Sequence, residues 1–138
     1  MVPTPELRLD RQGVRTFVAG NGRGGQILVG PEEVDGAFTP GELLKIAVAG
    51  CIGMSADHRL AHLLGEDFAG TVTVVGHKDV PGERYSHFDV EVSAPPVGAE
   101  AAEVERAVER ADHLIATNCT VGRTLAQPSH YQVAYRIG

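Results

Sequence analysis

A helix with no polar face, announced by a complete capping signal, constrains this 138-residue chain more than any other feature. Thr39 suits a cap, Pro40 suits the first helical position, and Glu42 is spaced to reach back to the Thr39 N–H as a capping box. The helix then runs from Leu43 to Leu64, and its first half, Leu43 to Met54, is apolar nearly all round. Such a helix belongs inside a protein, covered on several sides. Polar residues return at Asp57, His58, Arg59 and His62, so the C-terminal end is expected to emerge. The apolar part is too short to span a bilayer.

What surrounds the helix reads mostly as strand. Glu6 to Leu9 and Val14 to Ala19 flank a turn at Arg11-Gln12-Gly13, and Gln26 to Val29 follows a glycine loop. That loop contains G-x-G-x-x-G at Gly20, Gly22 and Gly25, but a dinucleotide fingerprint needs a helix directly after it, and Gln26-Ile27-Leu28-Val29 is strand. It is expected to be a hairpin turn. Gly70 to Val80 and Glu83 to Ala94 form a second hairpin around Pro81-Gly82, with Phe88, Val90 and Val92 alternating against Asp89, Glu91 and Ser93. Glu100 to Ala116 is an amphipathic helix that Thr117-Asn118 is expected to break; Thr120 to Ala126 adds one helical turn, and Tyr131 to Ile137 reads as a closing strand. The order β-β-β-α-β-β-α-β predicts an α+β fold with antiparallel sheet, and the length fits one domain over residues 1–138.

Charge narrows the partners. With 12 Lys+Arg against 18 Asp+Glu, a net charge of −6 and no basic run, nucleic acid is not an expected partner. Met1-Val2-Pro3-Thr4-Pro5-Glu6 is neither basic nor apolar, so a reducing cytoplasmic location is expected. There, the only two cysteines, Cys51 and Cys119, are buried thiols, a redox couple or part of a metal site.

Mid-helix burial would make Cys51 an inert small hydrophobe with a raised pKa. Cys119 lies in a break near a helix start, where partial positive charge favours thiolate. A thiol of pKa near 8.5 is only about 3% thiolate at pH 7, and lowering it two units takes roughly 2.7 kcal/mol. In a buried site a cation is the expected source, with Arg11, Arg15, Arg23 and Arg123 as candidates. Against a metal site, Cys51 lies about 10 Å along the helix from His58, at ~1.5 Å per residue, too far to share a tetrahedral ion. His58 and His62 alone keep a zinc-like i,i+4 spacing.

The segment Pro40-Gly41-Glu42-Leu43-Leu44 through Ala49-Gly50-Cys51, with the distant Cys119-Thr120-Val121-Gly122-Arg123, resembles the OsmC/Ohr family of osmotically inducible and organic hydroperoxide resistance proteins, in its general OsmC-like branch. The resemblance implies antiparallel sheets wrapped around a long central cysteine-bearing helix in an intertwined homodimer, which would cover a helix that one subunit cannot. It implies thiol-dependent reduction of organic hydroperoxides, and less efficiently of hydrogen peroxide. Cys51 would be the peroxidatic nucleophile and Cys119 the resolving thiol, reduced by an external dithiol of lipoyl type, with no resident cofactor or metal. The family's arginine, which holds the thiolate and polarises the O–O bond, best matches Arg11, with Arg15 next. Hydroperoxide reductases of the family place a glutamate directly after the helix-initiating proline to orient that arginine; here that position is Gly41, and Glu42 follows it on another face. The alternative is a small-molecule binding role, with the thiols as bystanders, or another thiol-redox role with weak or no peroxidase activity.

Overall fold

The computed structural model describes residues 1–95 and 98–138, which divide into two compact units, Met1–Leu44 and Lys45–Gly138. The first unit is a three-stranded antiparallel sheet of β1 (Arg8–Gly13), β2 (Thr16–Gly20) and β3 (Gln26–Val29), in the order β1-β2-β3. Arg11-Gln12-Gly13, expected as a turn, belongs to β1 instead. Gln12 is absorbed as a bulge between the pairs Arg11↔Phe17 and Gly13↔Thr16, and the chain reverses one step later, where Arg15 adopts φ 53°. The glycine loop is a hairpin turn joining β2 to β3. Asn21 Oδ1 accepts from the N–H groups of Arg23 at 2.8 Å and Gly25 at 3.0 Å, so those donors point into the loop.

Helix α1 (Pro40–Leu64) begins at the boundary of the two units and lies mostly in the second. Its capping box is formed. Thr39 N–H donates to Glu42 Oε1 at 2.8 Å and Glu42 N–H donates to Thr39 Oγ1 at 3.1 Å. The second unit adds the hairpin β4 (Thr71–Asp79) and β5 (Arg84–Ser93), then α2 (Ala101–Asn118) and α3 (Thr120–Leu125). The β4–β5 ladder is antiparallel with Val72↔Val92 and Val74↔Val90 paired. α1 runs close against one face of it: a Cβ on Gly53 would sit 3.2 Å from Val72 Cγ2, so the absence of a side chain there sets the approach. Nearby, the Tyr85 ring covers Gly76, and Lys45 Nζ stands 5.7 Å from the centre of that ring. Leu60, Leu63 and Leu64 of α1 meet Val92 of β5 and Val104 and Val108 of α2 around an apolar cavity of about 360 Å³.

Three expectations change. The Thr117-Asn118 pair does not break α2, because Thr117 Oγ1 bonds the His113 carbonyl at 2.9 Å and stays helical; the break falls at Cys119. Residues 131–137 form no strand and pair with none of the described residues. Their alternating apolar side chains stand open, Tyr131 at 89% and Ile137 at 91% exposure, since a strand is completed by a neighbour and this segment docks on no strand edge. The apolar half of α1 is also only partly covered. Val48, Ala49 and Ala56 are buried, but Ile46 and Met54 are exposed, because a helix apolar on every side packs one side on its own hairpin and leaves the other bare.

Candidate functional site

The break between α2 and α3 has a single residue at its centre. Cys119 ends α2, its N–H donating to the Ile115 carbonyl at 3.0 Å, and opens α3, its Sγ accepting from the Gly122 N–H at 3.4 Å. With φ −75° and ψ 95° it redirects the chain, so that the first N–H groups of α3 are presented to its surroundings rather than hidden by the turn of α2. Arg123 anchors the junction from α3, its Nη1 donating to the Thr117 carbonyl at the end of α2 at 2.8 Å.

Those N–H groups face Cys51. The two cysteines, 68 residues apart in sequence, are free thiols within the second unit and hydrogen-bond each other. The thiol of Cys119 donates to Cys51 and is the largest influence holding the Cys51 pKa below its ordinary 9.0; the N–H of Val121 adds to it, with smaller help from Thr120 and Gly122, against the opposing effect of burial. Cys119 moves the other way. It is 1% exposed, and that burial, followed by its bond to Cys51, pushes its pKa above the ordinary value, against the Gly122 N–H. Of the two thiols, Cys51 is therefore the one that gives up its proton more readily. Opposed pKa shifts on two adjacent thiols mark the pair as a candidate functional site.

This reverses the local reading of the sequence, in which the helix start favoured the thiolate of Cys119. Cys119 caps α3 from a buried position, while Cys51, half-buried on α1, receives the helix N-terminus. The lowering also comes from hydrogen bonds, where the sequence pointed to a cation. The Val121 N–H was the donor missed by sequence reasoning. The signal for it was Cys119-Thr120-Val121-Gly122 read as the first turn of a new helix, whose leading N–H groups lack helical partners.

The other expected residues lie in the first unit. Arg11 is exposed on β1 opposite Phe17. Arg15, in the β1–β2 turn, lines a cavity of about 460 Å³ with Leu9, Phe17, Val29 and Thr39. Glu42 is engaged in the capping box. His58 and His62 are both exposed on α1, and His62 lines a small cavity of about 210 Å³ with Arg59, Arg106 and Arg110.

Comparison with known proteins places this arrangement. The chain is 43% identical over 120 residues to an uncharacterized protein of Mycobacterium bovis, covering 87% of this chain and 88% of that one, and equally to one of Mycobacterium tuberculosis. Among solved structures, an OsmC-like protein from Mycoplasma pneumoniae superposes with a TM-score of 0.64 at 16% identity, covering 91% of this chain and 89% of its own. A hypothetical protein from Aquifex aeolicus superposes with a TM-score of 0.66 at 18% identity, covering 91% and 89% respectively. These likenesses establish the fold, an α+β architecture of antiparallel sheets and three helices. The family model for OsmC-like protein matches residues 31–133, a span that contains both cysteines, and the chain belongs to the OsmC-like family.

Proposed function

We propose that this protein is a thiol-dependent peroxidase for organic hydroperoxides, acting through a Cys51 sulfenate and a Cys51–Cys119 disulfide. The observation that carries this reading is the divided thiol pair: Cys51 is held towards thiolate by the Cys119 thiol and the N–H groups of α3, and Cys119 is kept protonated beside it. The Cys51 thiolate attacks the distal peroxide oxygen; the O–O bond breaks, the alkoxide leaves and takes up a proton to become the alcohol, and Cys51 becomes a sulfenic acid. The Cys119 sulfur then attacks the Cys51 sulfur, expelling water with the Cys119 proton, and forms the disulfide. An external dithiol, of lipoyl type in this reading, returns both thiols and leaves oxidised. Arg11 is the group proposed to polarise the O–O bond, with Arg15 as its alternative and Glu42, from its place in the capping box, as the carboxylate proposed to orient either. The cycle suits a reducing cytoplasm, where a disulfide persists only as a catalytic intermediate.

A homodimer is part of the proposal. The chain exposes 11119 Å², whereas two separate compact bodies of the sizes of its units would together expose about 8,200 Å². The excess, about 2,900 Å² per chain or about 5,800 Å² over two chains, lies at the upper end of what obligate homodimers bury. A second reading, small-molecule binding with the thiols as bystanders, draws on the apolar cavity between α1, β5 and α2.

Thiol titration against one equivalent of cumene hydroperoxide separates the two. The peroxidase reading expects loss of both free thiols in the wild type, a sulfenate trapped at Cys51 in Cys119→Ser, and a peroxide rate at least tenfold lower in Arg11→Ala or Arg15→Ala. Survival of both thiols in excess hydroperoxide would discard it and favour the binding reading.

A further inference from the structure

The face of the β4–β5 hairpin away from α1 carries a side-chain cluster that the thiol chemistry does not use. His77 and His87 are direct cross-strand partners, and Asp89, two residues further along β5, shares their face opposite Val75. The imidazoles stack with centroids 4.0 Å apart and planes within 9°. Both Nε2 atoms turn towards one carboxylate oxygen: Asp89 Oδ2 is 2.6 Å from His77 Nε2 and 4.0 Å from His87 Nε2. One ligand atom from each residue lies within 4.8 Å of the others, and all three residues are exposed, so an ion and its remaining waters have open access.

The strand register prepares one of these ligands. His77 pairs with His87 but Lys78 pairs with Tyr85, which leaves Ser86 as an extra residue bulged out of β5. Its hydroxyl donates its only proton to the His77 carbonyl at 3.0 Å, so it meets His87 Nδ1 at 3.3 Å as an acceptor. Nδ1 of His87 therefore carries the proton and Nε2 presents its lone pair to the cluster. A metal-binding imidazole is oriented in this way, one nitrogen tied to an oxygen and the other free. His77 meets the same requirement by moving its proton from Nε2 to Nδ1, which gives up one hydrogen bond to Asp89 without changing the charge of the ring.

We propose that His77, His87 and Asp89 form a surface site for a divalent transition cation of the zinc type. Four-coordinate zinc, with bonds of about 2.0–2.2 Å, sets its ligand atoms roughly 3.3 Å apart, between the two nitrogen–oxygen distances seen here. Two imidazoles and one carboxylate match that class of ion and not magnesium or calcium, which take oxygen ligands. The cluster is independent of the cysteines, and the inference stands or falls apart from the peroxidase reading.

Calorimetric titration of the chelator-treated full chain with zinc chloride tests it, alongside a Cys51→Ser/Cys119→Ser variant that removes thiolate ligands. One site per chain is expected in both proteins, unaffected by excess magnesium. His77→Ala and His87→Ala should each weaken it at least tenfold, while His58→Ala leaves it unchanged and circular dichroism stays that of the wild type. Cobalt in the same site should show ligand-field bands without thiolate charge transfer, a readout that needs no variant to fold. The inference is overturned if the wild type binds no zinc, if both histidine variants bind as the wild type does, or if binding disappears with the cysteines alone.

Discussion

The pKa values of Cys51 and Cys119 move in opposite directions, and that difference is a matter of burial and of who donates to whom. Cys51 accepts from a thiol and from the N–H groups opening α3; Cys119 is sealed from water and donates. Alkylation follows thiolate, so the iodoacetamide reaction of Cys51 is expected to have its midpoint below pH 9.0 and that of Cys119 above it, read by peptide mass spectrometry across a pH series. Cys119→Ala removes the largest lowering influence on Cys51, and its midpoint should rise while staying below the ordinary value, because the α3 N–H groups remain. An unchanged midpoint in that variant would mean the two sulfurs do not share a proton. The identity of both residues was legible in the sequence, but the directions of their pKa shifts were not. Local context gave the helix start to Cys119, and only the folded chain shows that the N–H groups point past it to a sulfur 68 residues earlier.

Elements whose signals are local formed as the sequence dictates. The capping box at Thr39 and Glu42 needs only four consecutive residues, and α1 starts at Pro40 as the pattern demands. Thr39→Ala removes the hydroxyl acceptor for the Glu42 N–H and is expected to cost about 1 kcal/mol, measured as a lowered denaturation midpoint with an unchanged slope. Turn positions were less legible, since the bulge at Gln12 moves the first reversal one step along, and Thr117 satisfies its hydroxyl within α2 instead of ending it. The bulge at Ser86 is of the same kind: no local pattern says that His77 will face His87, because cross-strand register is set by pairing over the whole hairpin. Sequence reasoning sought metal ligands at helical spacing on His58 and His62 for that reason, and passed over the cross-strand pair. The segment 131–137 fails differently. Its alternation is that of a strand, but a strand is completed by a neighbour, and none of the described residues supplies one.

At the scale of the whole molecule, burial is the quantity out of balance. Among the described residues, Val48, Ala49, Ala56, Ala111 and Cys119 are the buried apolar ones, while Met54 is 82% exposed and Tyr135 is 82% exposed. No helix among the described residues is long and apolar enough to cross a membrane, so a bilayer-spanning helix does not account for that apolar surface. The proposed second copy of the chain would cover it, and sedimentation is then expected to give about twice 14.6 kDa. Met54→Asp separates the cases: a monomer tolerates a charge at an exposed position, whereas a dimer that covers it should dissociate and melt at lower temperature. A single-chain mass for the wild type would remove the dimer from the proposal. The sequence by itself determined the first five strands, the capped cysteine helix and the hairpins, and it singled out the two cysteines, because periodicity, caps and turn residues act over a few neighbours. Tertiary structure alone decided which thiol is the more acidic, which histidines share a carboxylate and which apolar faces stay bare. Those depend on groups brought together from distant parts of the chain, and a hydrogen bond, a strand register or a buried face exists only once both sides have met.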